Sequence, residues 1–308
     1  MIVYEPNKHF FKDISQLARS WTMVKIMRSI LIMGGVATLF CVPMELLGWS
    51  DKLVMDTSIF SFLGIVLSIL LVFRTNSAYD RWWEGRKQWG ALVNHCRNLA
   101  IMTHAALPPE DEETRRDMAV LISNFCIALK DHLRTGTKLE EFIHVSEEEL
   151  AEYARKEHVP NHIAFQIQAK VQVMQKAGVF TEADMINIRH NTNALLDILG
   201  ACERIKKTPI PFSYAVYIKI FIVTYNLLLP CALVAKFGLW TIPIVMLVFF
   251  AFIGIELMAE EIEEPFGLDC NDLPTASIAH TIKNNVFEIL EDQKSIARVS
   301  EELYVKLH

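Results

Sequence analysis

The sequence predicts an all-α membrane protein, four helical spans carrying a large cytosolic helical bundle, and three observations predict it. Of 308 residues, 52% are hydrophobic while 21% are charged, an apolar excess that an ordinary soluble domain hides with difficulty. The apolar residues concentrate in four uncharged runs, 29–44, 57–73, 220–235 and 237–255, set as two closely spaced pairs. Between the pairs lies a long charged stretch whose apolar positions recur at helical rather than strand spacing. A bilayer core takes about 20 helical residues, with a range of roughly 17 to 25. Three of the runs sit at or just under that range, and the flanking charges Arg28, Glu45, Asp56, Arg74, Lys219 and Lys236 extend them by reaching toward the headgroups.

In chain order, residues 1–24 form an N-terminal cytosolic segment. It carries Glu5, Lys8, Lys12, Asp13 and Arg19 and has no long apolar run before a small-residue cleavage site, so a removable signal peptide is not expected. Residues 25–73 make the first transmembrane hairpin, joined through 48–52, with its second helix over 57–73. Residues 74–210 make a cytosolic bundle of about 5 helices. Its starts are marked by Pro108 and Pro109 ahead of the acidic turn 110–113, by Ser146 before Glu147, Glu148 and Glu149, and by Thr181 with Asp184. Pro209 and Pro211 give a rigid entry to the second hairpin, 211–258, and Pro43, Pro230 and Pro243 are expected to kink spans. The remainder, 259–308, reads as an acidic loop and a C-terminal cytosolic helix from about residue 275.

Orientation follows the positive-inside rule. Lys25, Arg28, Arg74, Arg81, Arg86, Lys87, Lys206, Lys207 and Lys219 lie near one set of span ends, against Lys52 and Lys236 at the other. Both termini and the bundle are therefore expected on the cytoplasmic side of a cell (inner) membrane.

The net charge of −6 argues against nucleic acid as a partner and leaves cations open. Cys41, Cys96, Cys126, Cys202, Cys231 and Cys270 show no CxxC pair or zinc spacing and read as reduced thiols. His158 and His162 are four apart, but Pro160 between them disturbs a helical metal pair. Asn191 and Asn193 read as packing hydrogen bonds. No dinucleotide fingerprint, P-loop, nucleophile elbow or zinc-protease motif occurs, so an enzyme is not expected.

Function centres on the second run. Ile65, Ile69 and Phe73 recur at i, i+4 and i+8 and share a helix face that Ser61 continues one turn earlier. Alone, such a stripe is more often lipid-facing or packing surface than pore lining. Directly after it come Arg81-Trp82-Trp83, which an aromatic belt with basic anchors would also explain.

Here the chain resembles the bestrophin family. Arg81-Trp82-Trp83 is similar to that family's signature at the end of its second span, and Pro265-Phe266-Gly267 is similar to its motif after the fourth. The order of two spans, helical insert, two spans and acidic loop matches as well. The resemblance implies a homopentamer around a central ion pathway, with a hydrophobic neck falling on Ile65, Ile69 and Phe73. Stacked apolar rings gate by dewetting, because a narrow apolar tube holds water poorly. It also implies a cytosolic aperture near Ala183, where the family has a larger apolar residue, flanked by Glu182 and Asp184. The bland reading of that acidic pair is the solvated first turn of a helix. In the family's animal members the loop after the second motif clasps calcium. Here it offers Asp269, Asn271 and Asp272, too few charged oxygens for an ion that takes six to eight. No cofactor is expected, and the calcium clasp is expected to be absent or degenerate.

The expected function is passive conduction of monovalent cations (Na⁺ or K⁺). The resemblance is to the family's prokaryotic, cation-conducting branch. Glu45, Asp51 and Asp56 at the outer ends and Glu256, Glu260, Glu261, Glu263 and Glu264 after the fourth span would concentrate cations. An anion channel of the same architecture, a secondary transporter using Glu256 as an intramembrane carboxylate, and a tethered enzyme or scaffold are the alternatives.

Overall fold

Every long segment is helical because its backbone polar groups have no other partner in an apolar setting, and its charged segments carry helix caps. The computed structural model describes residues 21–49, 55–269 and 271–290, and no strand occurs among them. The expectations for residues 1–20, Asp51, Lys52, Cys270 and the C-terminal stretch 291–308 lie outside the described residues. The helices are α1 Trp21–Leu46, α2 Thr57–Ala106, α3 Glu112–His132, α4 Glu147–Ala154, α5 Val159–Lys176, α6 Glu182–Lys207, α7 Phe212–Phe237, α8 Thr241–Glu263 and α9 Thr275–Ile289. The described residues divide into two compact units, one drawn from 21–82 and 209–272, the other from 83–208 and 273–290.

Among the described residues, three helical stretches are long and apolar enough to cross a membrane: Thr22–Leu46, Thr57–Ala106 and Phe212–Glu263. The last holds both α7 and α8, joined by the single 3-10 turn Gly238–Trp240. Gly238 sits there at φ 51°, a left-handed conformation that ends α7 at low cost for glycine. α2 does not stop with its apolar run. Its 50 residues, about 75 Å at 1.5 Å per residue, continue from the first unit into the second, so no chain break separates 73 from 74.

In the first unit, Ile26, Ile30, Met33, Ala37 and Cys41 fall on one face of α1 and are all buried, and α1 packs on α8 and α7. Gly34 allows a close approach there, since a Cβ would lie 2.8 Å from Met246 Sδ. Phe60, Leu67 and Leu71 of α2 join the same core with Ile218, Ile222, Val245 and Phe249. Two tyrosines of α7 hold α2 to it: the Tyr225 hydroxyl donates to Phe60 O at 3.2 Å and the Tyr214 hydroxyl to Leu70 O at 3.3 Å. Pro43 and Pro230 lie inside helices. Pro243 falls in the first turn of α8, where a missing N–H costs no intrahelical bond and gives that helix no cause to kink.

The second unit follows its local signals closely. Asp111 caps α3 through Thr114 N–H at 3.1 Å. Ser146 with Glu149 and Thr181 with Asp184 form complete capping boxes on α4 and α6. α3 packs on α9 and α5, burying Met118, Ile122, Phe125 and Leu129 with Ile163, Ile282 and Val286. The Cys96 and Cys126 sulfurs meet at 3.7 Å as free thiols, and Cys41, Cys202 and Cys231 are also free.

Candidate functional site

Within the first unit the two sides of α2 differ sharply. Leu67, Leu71, Arg74 and Ala78 are at most 1% exposed, whereas Ile65, Ile69 and Phe73 are 60%, 51% and 61% exposed. At about 100° per residue the two sets point to opposite sides of the helix. Ser61 is exposed on the stripe's side, and its hydroxyl is turned back to Thr57 O at 3.1 Å.

Just past the apolar run the buried side of α2 carries a guanidinium. Arg74 Nη2 lies 2.7 Å from Glu263 Oε2, and its Nε lies 3.5 Å from Glu256, itself fully buried. The second oxygen of Glu263 accepts Ile210 N–H at 2.7 Å at the approach to α7. Two charges that a dry interior would penalise heavily are thus neutralised against each other. This cluster escaped the sequence reading because its members are 182 positions apart. A signal existed nonetheless: Arg74 and Glu256 are each the first residue beyond an uncharged run, with opposite signs.

The first signature motif is bonded to residues on either side of the second. Arg81 Nε donates to Glu263 O at 3.1 Å, and Trp82 Nε1 donates to Asn271 O at 3.0 Å, with Tyr79 stacked on Trp82. Trp83 remains half exposed. Pro265 and Phe266 are buried. Gly267 has a reason to be glycine, because a Cβ would stand 2.6 Å from Asp272 Oδ2.

Of the three candidate metal residues, Asp272 Oδ2 accepts Asp269 N–H at 2.6 Å and Asn271 Nδ2 donates to Glu261 at 2.9 Å. Asp272 is buried and its other oxygen has no partner. Burial above all, with Asp269, Glu261 and Glu264 nearby, pushes its pKa up to about 7, although the Asp269 N–H pulls the other way.

Ala183, Glu182 and Asp184 are all exposed in the first turn of α6. Asp184 is occupied in the capping box, its Oδ2 accepting Thr181 N–H at 3.0 Å and the hydroxyl at 2.6 Å. These bonds, the hydroxyl's first, hold its pKa below the usual carboxylate range. The other acidic residues after the fourth run are largely paired: Glu260 with Lys219 at 3.0 Å and Lys25 at 3.8 Å, Glu261 with the Thr22 hydroxyl at 2.5 Å. His158 and His162 do not form a pair. His162 faces Glu152 at 3.1 Å, whereas His158 caps α5 and meets Glu203 at 3.0 Å.

Apolar helices able to span a bilayer, with the Arg74 guanidinium buried against Glu256 and Glu263, define a helical membrane protein. The family profile described as bacterial and fungal bestrophin protein matches residues 1–288, and the chain belongs to that family. A Nostoc sp. protein named as voltage-dependent anion channel-forming is 39% identical over 232 residues, 73% of this chain and 75% of the relative. An Escherichia coli K12 protein of the same description is 28% identical over 99% of this chain and its own full length. A solved bacterial bestrophin homologue from Klebsiella pneumoniae superposes with TM-score 0.81 at 26% identity, covering 86% of this chain and 98% of that one.

Proposed function

We propose that this bestrophin is a passive ion channel in which copies of the chain assemble as a homopentamer and ring the pathway with Ile65, Ile69 and Phe73. One observation carries the reading: the stripe is exposed on the side of α2 opposite the unit's core, in a helix whose buried side is anchored by Arg74. Rings of such side chains make a dry constriction that conducts only when wetted, so a small widening switches flux. Residues 57–73 are then the pore-lining part of α2, the flanking runs the remaining spans, and the cell membrane its location, with both termini cytoplasmic.

Monovalent cations are the proposed permeant ions. Glu45 and Asp56 are exposed at the ends of α1 and α2, and the chain carries a net charge of −6. The inner acidic residues support this less than their number implies, because Arg74, Lys25 and Lys219 neutralise Glu256, Glu260 and Glu263. Anion conduction is the second reading, favoured by the description of the Nostoc and Escherichia coli relatives. The carrier reading loses its central group, since Glu256 is sealed against Arg74 with no exposed surface. Calcium is not proposed as a ligand. Bilayer recording under a NaCl gradient tests the assignment: unitary currents reversing near the Na⁺ potential, unchanged by a calcium chelator, are expected. Reversal near the Cl⁻ potential selects the anion reading, and the absence of unitary steps removes the channel.

A further inference from the structure

Away from the pore helix, and independent of it, three elements of the second unit converge on one carboxylate oxygen. His132 is the last residue of α3, His158 is the N-cap of α5, and Glu203 lies in the last turns of α6. His132 Nε2 stands 2.6 Å and His158 Nε2 3.0 Å from Glu203 Oε1. The two imidazoles lie with centroids 4.4 Å apart, and one donor atom from each of the three residues falls within 4.8 Å of the others. Among the described residues no other group of three His, Cys, Asp or Glu side chains gathers this closely.

Two imidazole nitrogens and one carboxylate are the donor set of zinc and its neighbours, which take such ligands at about 2.0–2.2 Å and tolerate water in the remaining position. The side chains are 22%, 30% and 20% exposed, open enough for an ion and its water to enter and covered enough to hold them. The neighbouring cations leave room. Lys206 Nζ is bound to the carbonyls of His132 and Arg134 at 3.2 and 2.8 Å, capping the end of α3. Lys207 Nζ touches Glu203 Oε1 at 3.4 Å from a side chain that is 69% exposed and can swing away.

We propose that His132, His158 and Glu203 form a three-ligand site for a divalent transition ion of the zinc class, which ties α3, α5 and α6 together. The ion-free arrangement is a hydrogen-bonded knot in which Glu203 accepts from both imidazoles and His158 Nδ1 accepts Asn161 N–H at 3.3 Å. Coordination through His158 Nε2 puts a proton on Nδ1, so this cap bond is given up when the ion enters.

Cobalt(II) reports on the site directly, because four-coordinate Co²⁺ absorbs strongly in the visible and six-coordinate aqueous Co²⁺ does not. Full-length detergent-purified protein, stripped of metal, is titrated with Co²⁺ and then with Zn²⁺. The expected result is visible bands saturating at one ion per chain, abolished by Zn²⁺, and weakened at least about tenfold in affinity by His132→Ala and by Glu203→Gln. His162→Ala, outside the cluster, leaves the titration unchanged. His158→Cys keeps a ligand in place and is expected to retain binding with an added thiolate-to-cobalt band, which separates ligation from misfolding. The proposal is overturned if the unaltered protein gives no four-coordinate bands, or if they survive both His132→Ala and Glu203→Gln undiminished.

Discussion

Leu67 and Leu71 on one side of α2 and Ile65 and Ile69 on the other have nearly the same chemistry and opposite surroundings. The first pair is sealed in the core of the membrane-type unit, while the second stands more than half exposed. In water that difference would mark the exposed pair as an interaction surface. In a membrane protein an exposed isoleucine costs nothing against lipid, so hydropathy alone gives no sign of which side is which. The polar groups tell them apart. The buried side continues into Arg74, which needs Glu256 and Glu263, and is touched by the hydroxyls of Tyr225 and Tyr214 through nearby carbonyls. The stripe has no such ties and is available to line something.

The buried side should break hardest. Arg74→Met strands Glu256 and Glu263 without their cation, and a loss of about 3–5 kcal/mol is expected, seen as a large drop in the detergent melting temperature. Pairing it with Glu256→Met should recover part of that loss, since two apolar residues replace a buried charge pair. Next, Leu67→Ala opens a cavity and should cost about 2–5 kcal/mol in the same assay. Ile65→Ala, one face away, should change stability by less than about 0.5 kcal/mol.

A smaller and pH-dependent effect belongs to the loop that meets the signature tryptophan. The raised pKa of Asp272 means that the folded protein favours its protonated form. Its contribution is fully present below the ordinary carboxyl value of 3.8 and is lost as pH rises through about 7. Asp272→Asn should flatten the fall in melting temperature across that window; an unchanged slope would remove the assignment.

How far these features were legible in the sequence depends on their range. The uncharged runs and the caps at Asp111, Ser146 and Thr181 are local, and each is recognisable from a few neighbouring residues. The cap also accounts for the side chain of Asp184, the residue that the resemblance sets beside an aperture. What a linear reading could not supply are partners distant in the chain. The match of Arg74 to Glu256, the meeting of Trp82 with Asn271, and the gathering of His132 and His158 on Glu203 all depend on helix packing, which no spacing rule encodes. Pro160, expected to disturb a pairing of His158 with His162, makes His158 the cap of α5 and leaves it beside Glu203, 45 positions away. Pro243 shows the same dependence on context, since a proline's effect depends on whether it falls in the first turn of a helix or beyond it.

The comparison between the two sides of α2 comes down to whether the exposed one faces the ion path. Ile69→Ala protein, reconstituted in liposomes at matched density with the unaltered protein, decides this by ion flux. If the stripe forms the neck, trimming Ile69 widens and wets it, and flux should rise several-fold at nearly unchanged stability. Equal flux from Ile65→Ala, Ile69→Ala and unaltered protein would mean that the stripe faces lipid or a neighbouring helix and that the ion path lies elsewhere.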